Sequence, residues 1–245
     1  MIGKFRLFSR FSWITCGYSD IDIGNIEYRF AAKSEVDNNR QNFFQSLGIV
    51  ADQVVEMNQI HSSKVEVISD SNKKIIEKSD GLITDKPKIY LMVKTADCFP
   101  LVYCDCKKQV VGIIHVGWRG TVEKIFLQGL LKLLGHFNSR PEDILVAIGP
   151  GLRKCCFEQD LFLQESLPEW ENYIVKNNSR KKIDIPSFII DSLIDVGIKR
   201  NNIEDCGICS YCNHNFFSHR RSINNNLVEG RFASILGVNN NGRKN

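Results

Sequence analysis

Between Leu82 and Val116 four apolar runs crowd together, and this crowding constrains the fold more than any other feature of the chain. The runs Leu82–Thr84, Ile89–Lys94, Leu101–Tyr103 and Val110–Val116 are rich in β-branched residues and bounded by Gly, Pro and Asp. That is the pattern of successive short strands. The period then changes. From Thr121 the apolar residues Val122, Ile125, Phe126, Leu130, Leu133, Leu134 and Phe137 fall at helical spacing, with Gly120 before them and Gly135 near the end.

Around this centre the reading is coarser. The first dozen residues predict a strand, and Ser34 N-caps a helix that Gly48 closes. Val54–Met57 and Lys64–Ile68 predict strands, followed by a polar loop over Ser69–Ser79. A buried strand, Ile144–Ile148, ends at Gly149-Pro150-Gly151. Helical segments are expected near Glu158–Leu167 and Ser187–Val196, a basic solvated loop over Asn177–Lys182, and a last strand over Phe232–Val238. No repeat or linker interrupts the chain. The expectation is one α+β domain over residues 1–245, mixed β-sheets flanked by helices, with a disordered tail over about 239–245.

A 43% hydrophobic, 24% charged chain has enough apolar residues for a substantial core. A net charge of +4 is too small for the clustered basic footprint of a nucleic-acid binder. No stretch approaches the roughly 18 uninterrupted apolar residues of a membrane span. Arginines interrupt the apolar residues of MIGKFRLFSRFSW, so the continuous core of a secretory signal is missing. The chain is expected to be cytoplasmic. Its nine cysteines then read as thiols, metal ligands or a nucleophile rather than disulfides.

Three polar islands punctuate the strands: Asn58-Gln59-Ile60-His61, Thr95-Ala96-Asp97-Cys98 and His115-Val116-Gly117-Trp118-Arg119-Gly120. Strand ends are where sheet proteins place functional groups. Imidazole nitrogen and thiolate sulfur are ligands zinc prefers, and three protein ligands with a free fourth position define a catalytic zinc site. His61, Cys98 and His115 are therefore candidate metal ligands and catalytic residues. Each also has a plain structural reading: a surface histidine, a buried thiol and a core histidine. Gly117, Arg119 and Gly120 precede the expected helix, whose free N–H groups suit an anion, with Arg119 as a clamp; a tight turn explains the glycines equally well. Cys206-x2-Cys209-x2-Cys212 resembles part of an iron–sulfur run, but Phe216 stands where the next cysteine belongs. His214 or Cys155 and Cys156 are the residues that could complete a site; unligated thiols are expected.

The motifs DGLITD, TADCFPLV, GIIHVGWRGT, AIGPG, CSYC, FFSHRRS and EGRFASILGV, in that order, resemble the YfiH family. It is also called the laccase-domain or multicopper polyphenol oxidase family, and it includes bacterial purine nucleoside phosphorylases. The resemblance covers about Gln59 to Val238. It implies an α/β/β/α-layered domain and zinc held by His61, Cys98 and His115, with Cu2+ less favoured. It implies phosphorolysis of adenosine, inosine, guanosine and methylthioadenosine, with adenosine deamination alongside, so that purine nucleosides and phosphate are the partners. His219, Arg220 and Arg221 match the family's stretch near the active centre, and Arg220 is the expected substrate contact. One departure stands out. Family members carry an arginine near the N-terminus, and Ile14-Thr15-Cys16-Gly17-Tyr18-Ser19 has none in register; Arg10 and Arg29 are nearby.

Three other functions fit the same residues. A cysteine hydrolase would use Cys98 as nucleophile and His61 or His115 as base, without metal. A copper-dependent polyphenol oxidase would need many imidazoles, and the chain has five histidines, two of them, His136 and His214, in unpromising contexts. A non-catalytic peptidoglycan-editing role would need no chemistry at Cys98.

Overall fold

The computed structural model describes residues 2–160, 162–177 and 180–239. In chain order these form β1 (Ile14–Tyr18), α1 (Lys33–Ser46), β2 (Val54–Asn58), β3 (Val65–Val67), β4 (Ile75–Glu77), β5 (Gly81–Thr84), β6 (Tyr90–Thr95), β7 (Phe99–Asp105) and β8 (Val110–Val116). There follow α2 (Trp118–Val122), α3 (Ile125–Phe137), β9 (Ile144–Ile148), β10 (Glu158–Gln159), β11 (Ile174–Asn177), β12 (Arg180–Ile183), α4 (Ile185–Asp195), β13 (Ile203–Asp205), α5 (His219–Asn225) and β14 (Phe232–Val238). A five-stranded sheet runs β1-β14-β6-β2-β4 and a six-stranded sheet runs β13-β9-β7-β8-β5-β3; a small third sheet joins β10, β12 and β11.

Alternating side chains build the layers. Along β6, Tyr90 and Met92 face α1 with Phe43 and Phe44, while Leu91 and Val93 face the other way. There they meet Val102 and Cys104 of β7 and Val111 and Ile113 of β8 in the layer between the two large sheets. Leu101, Tyr103 and Ile114, on the opposite face, pack against Phe126, Leu130 and Leu133 of α3. The result is the mixed α+β domain with α/β/β/α layering that the sequence suggested.

Several local expectations change. The first dozen residues contain a single 3-10 turn, Arg6–Phe8, and the first strand starts at Ile14. β4 lies inside the expected polar loop. The expected helix from Thr121 starts earlier, at Trp118, and breaks at Lys124, whose φ of 55° separates α2 from α3; Gly120 is inside α2 rather than before it. Residues Glu158–Leu167 hold β10 and a 3-10 turn instead of a helix, and the basic loop is the β11–β12 pairing, with 178–179 outside the described residues. Asn239 donates its backbone N–H to Trp13 O at 2.8 Å and so belongs to the fold; the rest of the expected tail lies outside the described residues. No helix among the described residues is long and apolar enough to cross a membrane.

Candidate active site and metal centre

Register assembles the site. In the antiparallel pairing of β5 with β8, Gly81 lies opposite Ile114, so Asp80 meets His115 one step on, and His115 N donates to Asp80 O at 2.7 Å. In the β7–β8 pairing, Pro100 lies opposite His115, which brings Cys98 to the same sheet end. Asp80, Cys98 and His115 share the parity of Leu82, Val102 and Val111, so all three belong to the face between the sheets, at its open end. His61 comes from the loop between β2 and β3.

That loop is shaped by a carboxylate. Asp80, fully buried, accepts the backbone N–H groups of Ile60 (3.2 Å), His61 (2.9 Å) and Ser62 (2.7 Å), the Ser62 hydroxyl (2.8 Å) and His115 Nδ1 (2.8 Å). Gathering three consecutive N–H groups around one side chain holds His61 in the left-handed region, at φ 61°, a conformation uncommon outside glycine. Burial alone would push the Asp80 carboxyl up; the hydrogen bonds from His115 and Ser62 and the charge of His115 hold it at about 2. Asp97, at φ 86°, makes the second special turn. Its carboxylate accepts Ser210 Oγ at 2.7 Å and Arg220 N at 2.7 Å.

Cys98 Sγ lies 3.8 Å from His61 Nε2, the two imidazole rings meet edge to face at 4.7 Å, and the three ligand atoms all lie within 4.8 Å of one another. Tetrahedral geometry with metal–nitrogen near 2.0 Å and metal–sulfur near 2.3 Å asks for a nitrogen–sulfur distance of about 3.5 Å. The trio therefore fits one ion. Asp80, by taking Nδ1 of His115, leaves the other ring nitrogen for the centre, the usual arrangement behind a ligating histidine. Burial raises the Cys98 thiol, but His115 and His61 outweigh it and bring it down to about 6; desolvation lowers His115, and Cys98 and Asp80 return it to about 9. Both imidazoles thus favour the thiolate over the thiol at Cys98. Gly117 keeps the centre open: a Cβ there would lie 2.9 Å from Cys98 Sγ and 3.0 Å from His61 Cδ2.

The trio sits in a cavity of about 710 Å3, a size that holds a ligand larger than a single sugar or base. Gly117, Arg119 and Arg220 all line it. The five-residue α2 is too short to act as an anion site through its N-terminus, so Arg119 enters by its side chain, its guanidinium 4.9 Å from the Trp118 ring centroid. Arg220 lies 5.3 Å over the Phe157 ring and donates to the carbonyls of Cys156 and Glu158. Arg221 turns away, buried and bound to the carbonyls of Ser210, Tyr211 and Phe216. Of the two arginines near the family's absent one, Arg29 reaches the cavity and Arg10 instead packs over Phe11. Arg29 and Arg231 both stack on Phe30 at the rim. The sequence reading missed Asp80 and Arg231. Ser79-Asp80-Gly81, an aspartate at the mouth of a buried strand, was the available signal for the first; nothing local marks the second.

The profile of the family described as multi-copper polyphenol oxidoreductase laccase matches residues 17–239. Among curated relatives, a purine nucleoside phosphorylase of Clostridium acetobutylicum is 34% identical over 67% of this chain and 70% of its own length. One from Deinococcus radiodurans is 30% identical over 87% and 81%. An adenosine deaminase from an unknown prokaryotic organism is 31% identical over 71% and 72%. The crystal structure of the Bacillus licheniformis hypothetical protein YfiH superposes with a TM-score of 0.85, 94% coverage of both chains and 24% identity, which establishes the shared fold. The ordered motifs, the layering and the profile match agree: the chain belongs to the multi-copper polyphenol oxidoreductase laccase family.

Proposed function

We propose that this chain is a zinc-dependent purine nucleoside phosphorylase acting on adenosine, inosine, guanosine or methylthioadenosine in the cytoplasm. The observation that carries the reading is that His61, Cys98 and His115 converge and line one cavity together with Arg119 and Arg220. Relatives named for this activity support it. When bound, the metal would supply a Lewis-acidic centre that polarises a substrate oxygen.

The chain's own groups do the rest. Arg119 and Arg220 hold the phosphate, each with a planar fork of N–H donors matched to its oxygens. Trp118 and Phe157, which also line the cavity, offer flat apolar surfaces for the base. A phosphate oxygen forms the bond to the anomeric carbon as the bond to the purine nitrogen breaks and its electron pair leaves with the base. His219, oriented by Glu229 at 2.9 Å and lining the cavity, is placed to give the departing purine its proton. Deamination of adenosine in the same cavity is the companion activity, in line with the relative of that name.

A second reading has its own observation. Asp80, His115 and Cys98 stand in the order orienter, base and nucleophile, with the thiolate favoured, as in a cysteine hydrolase. Against it, the thiolate faces two imidazoles rather than one, and a strained backbone is maintained at His61 to supply the second. For copper oxidation, the described residues bring only two of the five histidines together with Cys98.

Zinc-loaded protein given adenosine and phosphate should release adenine and ribose-1-phosphate; with adenosine alone, inosine and ammonia report the deaminase. Silence on all four nucleosides with zinc confirmed bound contradicts the proposal. Hydrolytic activity that survives complete metal removal favours the cysteine hydrolase.

A further inference from the structure

Four sulfurs outside the cavity come together where the sequence led us to expect unligated thiols. Cys156 Sγ lies 3.0 Å and Cys155 Sγ 3.7 Å from Cys212 Sγ, and with Cys209 all four lie within 4.8 Å of one another. Cys206, first in the sequence run, is not among them: it sits at the end of β13, where its sulfur accepts the N–H of Ile208. A tetrahedral ion with metal–sulfur bonds near 2.3 Å asks for sulfurs about 3.8 Å apart, the middle of the observed range.

We propose that Cys155, Cys156, Cys209 and Cys212 form a second, structural zinc site that ties the loop after β9 to the loop after β13. Mutual closeness of all four is what one ion needs. Two disulfides would need only pairs, and an iron–sulfur cluster would spread its cysteines around several metal atoms. Four thiolates around tetrahedral Zn2+ leave no open position, the mark of a structural site.

The two loops already touch. Gly151 N donates to Ile208 O at 3.2 Å and Ser210 N to Gly151 O at 2.9 Å. The ion would lock this seam and close the excursion that carries the third sheet and α4, a chain segment long enough for the clip to matter. The seam also supports the cavity wall. Ser210 anchors Asp97, next to Cys98, and the carbonyl of Cys156 holds Arg220. The inference rests on the sulfur geometry alone and is independent of the reaction proposed above.

The full chain purified without added metal should carry about two zinc ions, with the double variant Cys209→Ser/Cys212→Ser and the variant Cys98→Ala each retaining about one. Cobalt-substituted Cys98→Ala should keep an intense thiolate-to-cobalt absorption. Should the double variant fail to fold, native alkylation mapping of the unaltered protein at alkaline pH, where free thiols react, decides: exposed Cys155 and Cys212 should resist iodoacetamide until a chelator is added. One zinc ion per chain with Cys155 and Cys212 labelled at once overturns the proposal. So does a pair of these thiols missing from a titration in denaturant without reductant, which would reveal a disulfide. Iron in place of zinc overturns the metal assignment.

Discussion

In the trio of His61, Cys98 and His115 a single thiol sits between two imidazoles, whereas in the second cluster four thiols face one another. The surroundings drive Cys98 and Cys155 in opposite directions. Imidazoles bring Cys98 down to about 6, against its burial. Burial and the neighbouring thiols push Cys155 up to about 11. The charges left on a bound Zn2+ differ as well. Two neutral imidazoles and one thiolate leave it net positive and with a free position, so it stays a Lewis acid; four thiolates over-neutralise and enclose it. On the two proposals made above, one protein would hold the same ion for chemistry at one site and for architecture at the other.

The contrast breaks most visibly at Cys98. Cys98→Ala should lower kcat/KM for nucleoside phosphorolysis by about a thousandfold or more while the far-ultraviolet spectrum stays unchanged, because the reacting centre is lost and the packing is not. Activity near that of the unaltered protein would remove the trio from the chemistry.

Metal-stripped, reduced protein sharpens the comparison without a substitution. At pH 7 Cys98 is mostly thiolate and Cys155 is almost wholly thiol, so iodoacetamide should label Cys98 about a hundredfold faster once its lower intrinsic nucleophilicity is counted. As the pH falls through 6, Cys98 takes up its proton and its labelling slows. Equal rates at the two sites, followed by mass spectrometry, would contradict the difference in surroundings.

Asp80→Asn keeps the size of the side chain and removes the charge that orients His115 and gathers the N–H groups around His61. A loss of about ten- to a hundredfold in zinc affinity is expected by competition with a chromogenic chelator, with zinc at the four-thiol cluster unaffected. Gly117→Ala should have the smallest effect, about tenfold in zinc affinity, as its new methyl displaces Cys98 and His61 slightly. Unchanged affinity there would show that the space beside Cys98 is not held open for an ion.

What the sequence disclosed follows from how local each signal is. β8, β9 and β14 are runs of consecutive buried residues and are legible as such. β10 and β12 are short, polar and partly exposed, so composition reads them as parts of a helix and a loop. The break at Lys124 leaves no trace in the apolar period, because a single left-handed residue shifts the helix axis without altering which residues are buried. His61, Cys98 and His115 were recognisable as ligand types at strand ends. Asp80 was not, because its importance lies in five contacts made across the β5–β8 register and the loop carrying His61. The four-thiol cluster was hidden for the same reason: its halves lie more than fifty residues apart, and the cysteine that completes the sequence run, Cys206, points elsewhere.

The proposed chemistry requires His61, Cys98 and His115 to hold one metal ion in the cavity. An anomalous difference map collected on both sides of the zinc absorption edge, from crystals of protein purified without added metal, tests it most directly. A bound zinc ion should give a peak about 2.3 Å from Cys98 Sγ and about 2.0 Å from one ring nitrogen each of His61 and His115. A map empty at that position, from protein that still cleaves nucleosides, would contradict it.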